Sequence, residues 1–226
     1  MASGPINSMG IIDKGDAFEL PLATQVLITV AGTIKSASNA YVETELTWLS
    51  GQPRSMIVSR TDLASTTPTR FSNGASLRLE PGKYSFVGRI RSNPGGSLAA
   101  PNIEIATATL YDDINHAGTV GTAVASGSNN GFVTVSLSSE LQIMAALRIV
   151  GHPPPDGRLY ATMRIEDLSS GEVIATPRVI QAGPNAYPLE TRATPIYPKP
   201  NRFHRFAYDI INAGLTELAV SISISG

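Results

Sequence analysis

The chain predicts an all-β protein, an antiparallel β-sandwich that follows an extended N-terminal arm, and two observations support this fold class. Apolar and polar residues alternate with a period of two through most of the chain, whereas helical stripes with a period of 3.6 are scarce. Turn-forming residues interrupt these runs at short intervals, and the 226 residues include 20 glycines and 16 prolines. Many short strands separated by regular turns are typical of sandwiches and barrels.

The clearest strand is the half-buried segment at 41–49, in which alternate residues fall on opposite faces. Its more apolar face carries Val42, Thr44, Leu46 and Trp48, and its polar face carries Glu43 and Glu45. The same pattern predicts strands at 23–33, 56–60, 75–79, 83–91, 103–111, 131–137, 141–150, 159–167, 173–182, 205–211 and 218–224. Turns are predicted at 72–74, 81–82, 127–131, 153–157 and 169–171. The window 138–146 has some helical character, but the residues after it favour a strand.

A structural corner is predicted where Pro81 and Gly82 form a turn and Tyr84 opens the next strand. A buried tyrosine needs a partner for its hydroxyl, and here it can donate to a backbone carbonyl a few residues upstream. Such a tyrosine corner fixes the connection between strands that cross from one sheet to the other.

Four segments then resemble, in order, the strands of the tumour-necrosis-factor and complement-globular-head jelly rolls. They are GKYSFVGRI at 82–90, IATATLYDD at 105–113, GFVTVSL at 131–137 and LQIMAALRI at 141–149. The resemblance implies an antiparallel jelly-roll-like β-sandwich. The insert RSNPGGSLAAPN at 91–102 and the tail beyond residue 170 depart from that layout. The overall texture, rich in Ser, Thr, Gly and Asn, is also similar to that of phage virion proteins.

We expect an N-terminal arm at 1–20 and one compact β-sandwich at 21–226. The segment near 92–102 and the Pro-rich segment 183–200 are candidate domain boundaries, but long surface loops explain both better. Glycines and a proline disfavour helix in the arm, yet its apolar side chains would be costly to leave in water. We therefore expect the arm to bind a neighbouring subunit. Its apolar residues are Ile6, Met9, Ile11, Ile12 and Phe18.

Composition excludes several function classes. The net charge is −1, from 17 basic and 18 acidic residues, so neither nucleic acid nor an anionic membrane is an expected partner. The absence of cysteine removes disulfides, Cys-ligated zinc, iron–sulfur clusters and thiol nucleophiles. The first twenty residues lack the pattern of a signal peptide, so we expect synthesis in a host cytoplasm.

Candidate catalytic and metal-binding residues are few, and we expect no enzyme and no cofactor. His116, His152 and His204 come without a nucleophile or zinc motif and are expected at the surface. Glycoside hydrolysis needs two carboxylates in a cleft, for which Glu43, Glu45 and Glu104 are the candidates. Asp112, Asp113 and Asn115 offer oxygen ligands for calcium, although a capped turn explains them better.

Two further segments bear on partners. Basic and aromatic residues alternate over 197–208, which would suit single-stranded nucleic acid, but an edge strand with His204, Phe206, Tyr208 and Ile210 on one face explains the pattern better. The terminal strands at 23–33 and 218–224 are apolar and nearly uncharged. We expect them to be paired, with each other or with another subunit, because free edges of this kind aggregate.

The sequence therefore favours a non-enzymatic, homo-oligomeric structural protein of a viral or phage particle. Low charge is what extensive burial between subunits would produce. The alternative is a carbohydrate- or receptor-binding β-sandwich that recognises a host glycan or receptor through loop aromatics. The aromatics expected to serve it are Tyr187, Tyr197 and Phe203.

Overall fold

The computed structural model describes residues 17–65, 69–111, 120–124, 129–136, 143–151, 158–176, 178–182, 189–190, 194–212 and 218–225. Within these ranges the protein is all-β, with fifteen strands in two sheets and no helix. The larger sheet contains β1 (Ala17–Leu20), β2 (Thr24–Trp48), β3 (Arg54–Ser65), β4 (Thr69–Leu79), β5 (Gly82–Tyr111), β7 (Asn129–Val135), β9 (Arg158–Asp167), β10 (Glu172–Ala175), β11 (Arg178–Ala182) and β14 (His204–Asn212). The smaller sheet contains β6 (Val120–Val124), β8 (Ile143–Gly151), β12 (Leu189–Glu190), β13 (Thr194–Ile196) and β15 (Leu218–Ser225).

The strand order in the larger sheet is β1-β5-β2-β3-β7-β14-β9-β10, with β4 beside β2 and β7, and β11 beside β9. In the smaller sheet it is β12-β8-β15-β6, with β13 also paired to β8. Neighbours are antiparallel, apart from one parallel bridge between Ser76 of β4 and Val135 of β7. This bridge closes a ring of pairing through β2, β4, β7 and β3.

The two longest strands, β2 and β5, pair along most of their length and share a bend. Residues 24–34 of β2 pair with β4 and with the second half of β5, whereas residues 40–48 pair with β3 and with the first half of β5. Four register shifts between β2 and β5 lie between Ala31 and Ala40. Irregularities of this kind bend a strand and increase its twist. Residues 92–102, a candidate domain boundary in the sequence, are part of β5.

One buried side chain shows how sharply β2 turns. Asn73 of β4 is the cross-strand neighbour of Val30, yet its side-chain amide donates a hydrogen bond to the carbonyl of Val42 at 3.3 Å. Twelve residues of straight strand would separate Val30 from Val42 by about 40 Å. The two halves of β2 therefore fold towards each other over a shared core. The turn expected at 72–74 is not formed, because Asn73 is buried within β4.

The main core lies inside this fold-back and follows the predicted alternation. Within the strand at 41–49, Val42, Thr44 and Leu46 are fully buried, and the carboxylates of Glu43 and Glu45 lie on the other face in ion pairs. The core cluster takes large side chains from both halves of the bent strands and from β1, β3 and β4. They are Phe18, Leu20, Val26, Ile28, Val30, Val42, Leu46, Val58, Phe71, Leu77, Leu79, Tyr84 and Phe86.

Three expectations about strand positions need correction. Residues 17–20, assigned to the arm, form β1 against β5, and Phe18 packs in the core of its own subunit. The arm residues Ile6, Met9, Ile11 and Ile12 lie outside the described residues. The strand β14 is not an edge, since it pairs with both β7 and β9. The Pro-rich segment 183–200 contains β12 and β13.

The terminal strands are paired, though not with each other. β15 lies between β8 and β6, and the start of β2 lies between β4 and β5. Their backbone donors and acceptors are thus used within the subunit. The residues of the window at 138–146 that the structure describes, 143–146, belong to β8.

Close packing at Gly131 holds the middle of the large sheet together. Gly131 of β7 lies opposite Tyr208 of β14 and Thr61 of β3. A Cβ at this position would overlap the Tyr208 hydroxyl and the Arg60 carbonyl, so only glycine lets the tyrosine ring lie over β7. The Tyr208 hydroxyl donates a hydrogen bond to Thr61 Oγ1 at 3.3 Å, which links β14 to β3 across β7.

The corner expected at Pro81, Gly82 and Tyr84 joins β4 to β5, which both belong to the larger sheet, so the chain does not cross between the two sheets here as expected. Pro81 directly precedes β5, Gly82 begins it, and the Tyr84 hydroxyl donates a hydrogen bond to the carbonyl of Glu80 at 2.6 Å. Burial raises the pKa of the Tyr84 hydroxyl, so the donor is kept protonated at neutral pH. The ring stacks on Phe18, with centroids 5.6 Å apart, and therefore ties β1 to the corner.

Replacing Tyr84 with phenylalanine tests this corner. The substitution Tyr84→Phe keeps the ring contacts but leaves the Glu80 carbonyl without its donor, so the free energy of unfolding should fall by about 1–3 kcal/mol. Urea denaturation measures the change. Tyr197→Phe is the matched control, because Tyr197 is 65% exposed and its free energy of unfolding should stay within roughly 0.5 kcal/mol of the wild type. Equal values for both variants would contradict a structural role for the Tyr84 hydroxyl.

Candidate functional site

An open groove of about 590 Å³ lies on the outer face of the large sheet, across β3, β7, β14 and β9. The strand register places Arg60, Phe132, Ala207 and Arg164 side by side in one row across these four strands. The side chain of Ala207 is only a methyl group, and it lies between the much larger side chains of Phe132 and Arg164. This methyl group forms the floor of the groove. The volume falls within the range of roughly 300–1,000 Å³ that is typical of small-molecule sites.

The outward residues of β14 give this groove two unlike ends. Arg205, Ala207 and Asp209 alternate with the buried Phe206 and Tyr208, so all three point outwards. Four residues of strand separate Arg205 from Asp209 by about 13 Å. The groove therefore has a basic end and an acidic end with a hollow between them.

Each arginine of the groove is held differently. Arg60 forms an ion pair with Asp62 at 2.9 Å and lies over the Tyr41 ring, 3.9 Å from its centroid. Arg164 forms an ion pair with Glu166 at 3.1 Å.

The third arginine, Arg205, has no ion pair with any residue that the structure describes. Its guanidinium lies 4.4 Å from the centroid of the Phe132 ring, and its buried Nε has no hydrogen-bond partner. The guanidinium of Arg205 is thus held in one orientation and has hydrogen-bond donors without acceptors among the described residues. An arginine fork of this kind is suited to a carboxylate.

A second cluster surrounds the buried His204, at the start of β14. His204 was expected at the surface, but only 2% of it is exposed, because β14 lies between two other strands. Its Nδ1 lies 3.1 Å from the carbonyl of Arg202, and its buried Nε2 has no partner. Burial lowers the pKa of His204, and this effect outweighs the opposite effect of the nearby Asp167 carboxylate.

Asp167 lies directly opposite His204 and is almost fully buried. Burial by itself would raise the pKa of Asp167. A hydrogen bond from the Ser169 amide at 2.8 Å and the ion pair with Arg202 at 2.8 Å outweigh burial and lower this pKa to about 2. The carboxylate therefore closes the β9–β10 turn and anchors the segment that leads into β14.

The carboxylates considered for glycoside hydrolysis have structural partners. Glu43 forms an ion pair with Arg91 at 2.9 Å, and Glu45 forms one with Arg89. Both pairs link β2 to β5 on the outer face of the sheet. Glu104 lies in β5, and its side chain is outside the described residues.

The other sequence candidates are not brought together. Tyr197 is exposed, whereas Phe203 packs edge-to-face on Trp48 with centroids 6.2 Å apart. Asp112, Asp113, Asn115, His116, His152 and Tyr187 lie outside the described residues. In the part of the chain that the structure describes, no group of three acidic or histidine side chains could hold a metal ion. That part also contains no helix able to span a membrane.

Four exposed apolar side chains lie on segments at one end of the large sheet, which we call the turn end. Here β1, β2 and β9 finish and β3, β5, β10 and β14 begin. The large hydrophobic residues that are exposed in the described ranges all belong to segments at this end. They are Leu22 (72% exposed), Tyr197 (65%), Val173 (47%) and Leu49 (43%).

No family model matches the chain, and no curated protein matches it. The solved structures that resemble it at low identity include one from a virus, one bacterial toxin and one pair of CBM22 domains. For the Sulfolobus turreted icosahedral virus structure the identity is 14% and the TM-score 0.35, over 98% of this chain and 60% of that one. For the insecticidal delta-endotoxin Cry8Ea1 of Bacillus thuringiensis the values are 9% and 0.32, over 97% and 58%. For the tandem CBM22 domains of Paenibacillus barcinonensis Xyn10C they are 9% and 0.30, over 97% and 85%.

The chain thus spans less than two thirds of the viral and toxin chains that it resembles. TM-scores of 0.35 or less are too low to assign the chain to a family or a function. The specific likeness to tumour-necrosis-factor jelly rolls, expected from the motifs, is not confirmed.

Acidification should destabilise the protein in two steps. His204 binds a proton less readily in the folded than in the unfolded state, so the free energy of unfolding should fall as the pH drops below about 6.5. Asp167 should cause a second fall between about pH 4 and pH 2, because its pKa is lowered to about 2 in the folded state. Urea denaturation at a series of pH values measures both steps.

His204→Gln isolates the first step. The variant removes the titrating ring, so its stability should depend less on pH between 7 and 5 than that of the wild type. Parallel curves for the two proteins over this interval would show that another group is responsible.

Proposed function

We propose that this protein is a non-enzymatic structural component of a viral or phage particle, as a capsid, minor capsid or capsid-decorating protein. It would assemble with copies of itself and with other virion proteins. The observation that carries the proposal is the turn end, where the exposed side chains of Leu22, Leu49, Val173 and Tyr197 lie on segments at the same end of the large sheet. Large apolar side chains exposed at one end of a sheet would be costly to leave in water, and contact with another protein would bury them.

The chemistry of the candidate residues also supports a non-enzymatic role. Catalysis by an acid and a base needs groups that reach a substrate. His204 is buried, and Glu43 and Glu45 are held by Arg91 and Arg89. These side chains stabilise the sheet, which is a sufficient reason for their presence.

Aromatic packing around Trp48, beneath the turn end, makes this surface rigid. Trp48 contacts Tyr84 and Phe203 edge-to-face, with centroids 6.1 Å and 6.2 Å apart, and the Arg54 guanidinium lies 4.5 Å from its ring centroid. A contact surface that is already ordered loses little conformational entropy when a partner binds. Repeated subunit contacts, each of modest strength, would then suffice for a particle.

A carbohydrate- or receptor-binding role is the second candidate. Its support is the groove at Phe132, Ala207 and Arg205, since a preformed hollow with unpaired charged groups is a typical ligand site. The groove starts next to the turn end, at Arg205 near the beginning of β14, and extends away from it along the outer face of the sheet.

Charged substitutions at the turn end test the assembly proposal. Leu22→Asp and Leu49→Asp should leave the thermal unfolding midpoint nearly unchanged, because both side chains are exposed. Each should weaken self-association by about tenfold or more, since burial of one leucine contributes roughly 1.5–3 kcal/mol. Light scattering over a concentration series measures the association.

Arg70→Gln is the control for these variants. It produces the same change in net charge at an exposed position near the opposite end of β4. If Leu22→Asp and Leu49→Asp assemble as well as Arg70→Gln, the turn end is not an assembly surface.

The arm contact remains a proposal from the sequence. Deleting residues 2–16 removes Ile6, Met9, Ile11 and Ile12 but leaves Phe18 and β1 in place. The truncated protein should keep its circular dichroism spectrum and unfolding midpoint, yet assemble less well by light scattering. Unchanged assembly would contradict an arm that binds a neighbour, and failure to fold would place the arm in the subunit's own core.

A further inference from the structure

We propose that the groove on the outer face of the large sheet binds a sugar that carries a carboxylate. In this arrangement Arg205 and Arg164 hold the carboxylate, and Asp209 and Asn130 hold hydroxyl groups of the same glycan. The inference rests on the second function proposed above and names the class of its ligand.

The basic end can hold one carboxylate. Arg205 lies opposite Glu166, and Arg164 is two residues from Glu166 along β9, so the two arginines are diagonal neighbours. Their backbone positions are about 7–8 Å apart, close enough for both side chains to reach the same group. Glu166 already pairs with Arg164, which leaves one net positive charge at this end. That single charge matches one carboxylate better than a dianion such as phosphate.

The guanidinium of Arg205 is held in a position that suits ligand binding. The guanidinium is fixed against the Phe132 ring, and the Nε is buried without a partner. The Nη groups of Arg205 are not buried and have no acceptor among the described residues, so they are the donors that a bound carboxylate would meet. Because the fork is already oriented, little side-chain entropy is lost on binding.

The acidic end favours hydroxyl groups. The register places Asn130, Asp209 and Thr162 side by side on three adjacent strands. The side chains of Asp209, Asn130 and Thr162 supply a carboxylate, an amide and a hydroxyl group on strands about 4.8 Å apart. Together they offer both acceptors and donors to neighbouring sugar hydroxyls. Asp209 has no ion pair within the described ranges, so its oxygens are available to accept hydrogen bonds.

Other ligand classes fit less well. A simple anion would be repelled by Asp209, and a simple cation by the arginines at the opposite end. An apolar ligand would bury both charges without partners, which is costly. A sugar acid satisfies both ends, and Ala207 between them leaves room for its ring.

The test includes one pair of ligands, 3′-sialyllactose and its methyl ester, that differ only in the carboxylate. The probes are 3′-sialyllactose, its methyl ester, lactose and digalacturonate, titrated against the full-length protein by ligand-observed NMR. We expect 3′-sialyllactose or digalacturonate to bind at least about tenfold more tightly than lactose. The methyl ester should bind like lactose. Preference for one acid or the other identifies the source of the carboxylate.

Two substitutions assign the binding to the groove. Ala207→Leu fills the floor without changing any charge, and Arg205→Gln removes the unpaired fork. Each should weaken binding of the preferred acid by about tenfold or more. Arg70→Gln makes the same charge change at an exposed residue that does not line the groove, and it should bind like the wild type. Unfolding midpoints show that each variant is folded, and either groove variant alone is sufficient for the assignment.

Several outcomes would overturn the inference. Equal binding of lactose and the acids would mean a neutral-sugar site, and would leave the wider carbohydrate-binding function standing. Equal weakening by Arg205→Gln and Arg70→Gln would mean nonspecific attraction to positive charge. Unchanged binding in both groove variants would place the site elsewhere. Absence of binding by all four compounds would overturn the acidic-sugar site, and a glycan array would then test the wider function separately.

Discussion

The bend shared by β2 and β5 is the constraint on which the rest of the structure depends. The hydrogen bond from Asn73 to the Val42 carbonyl crosses the inside of this bend and satisfies a polar group that would otherwise be buried without a partner. Because the bend brings the two halves of β2 together, Val30 and Val42 share one core. Without it, two long apolar strand faces would lie in water.

Closure of the bend depends on a small polar layer next to β7. Gln25 donates to Ser76 Oγ at 3.0 Å and to the Ser136 carbonyl at 3.1 Å, and the Arg78 amide donates to Ser136 Oγ at 2.6 Å. These bonds join the start of β2 to β4 and to the end of β7. β4 therefore completes the ring of pairing through β2, β7 and β3. The bonds made by Gln25 and Ser136 favour this arrangement of strands, since another register would break them, although the buried Oε1 of Gln25 has no partner within the described residues.

The outer face of the same sheet carries the charges that the core excludes. Over β2 and β5 the charges are neutralised in pairs between Glu43, Glu45, Arg89 and Arg91. Over β7, β14 and β9 the pairing is incomplete, and a small residue lies at the centre. A sheet face whose charges are neutralised in pairs offers no charged group to a ligand. Unpaired charges beside a hollow can bind one. This difference separates the structural part of the face from the proposed groove.

The sequence by itself determined the all-β class, most of the strands and the two faces of residues 41–49, because a period of two is a local property of the chain. It also indicated a paired Tyr84, since the Pro-Gly turn and the tyrosine are neighbours. It missed the groove, because Arg60, Phe132, Arg164 and Arg205 come from four strands and only the register across them makes them neighbours. Only the tertiary structure decided that Asn73 is buried rather than in a turn, that β14 is central, and that His204 lies beside Asp167. Each of these depends on a partner far along the chain, and alternation within one strand holds no information about which strand will lie next to it.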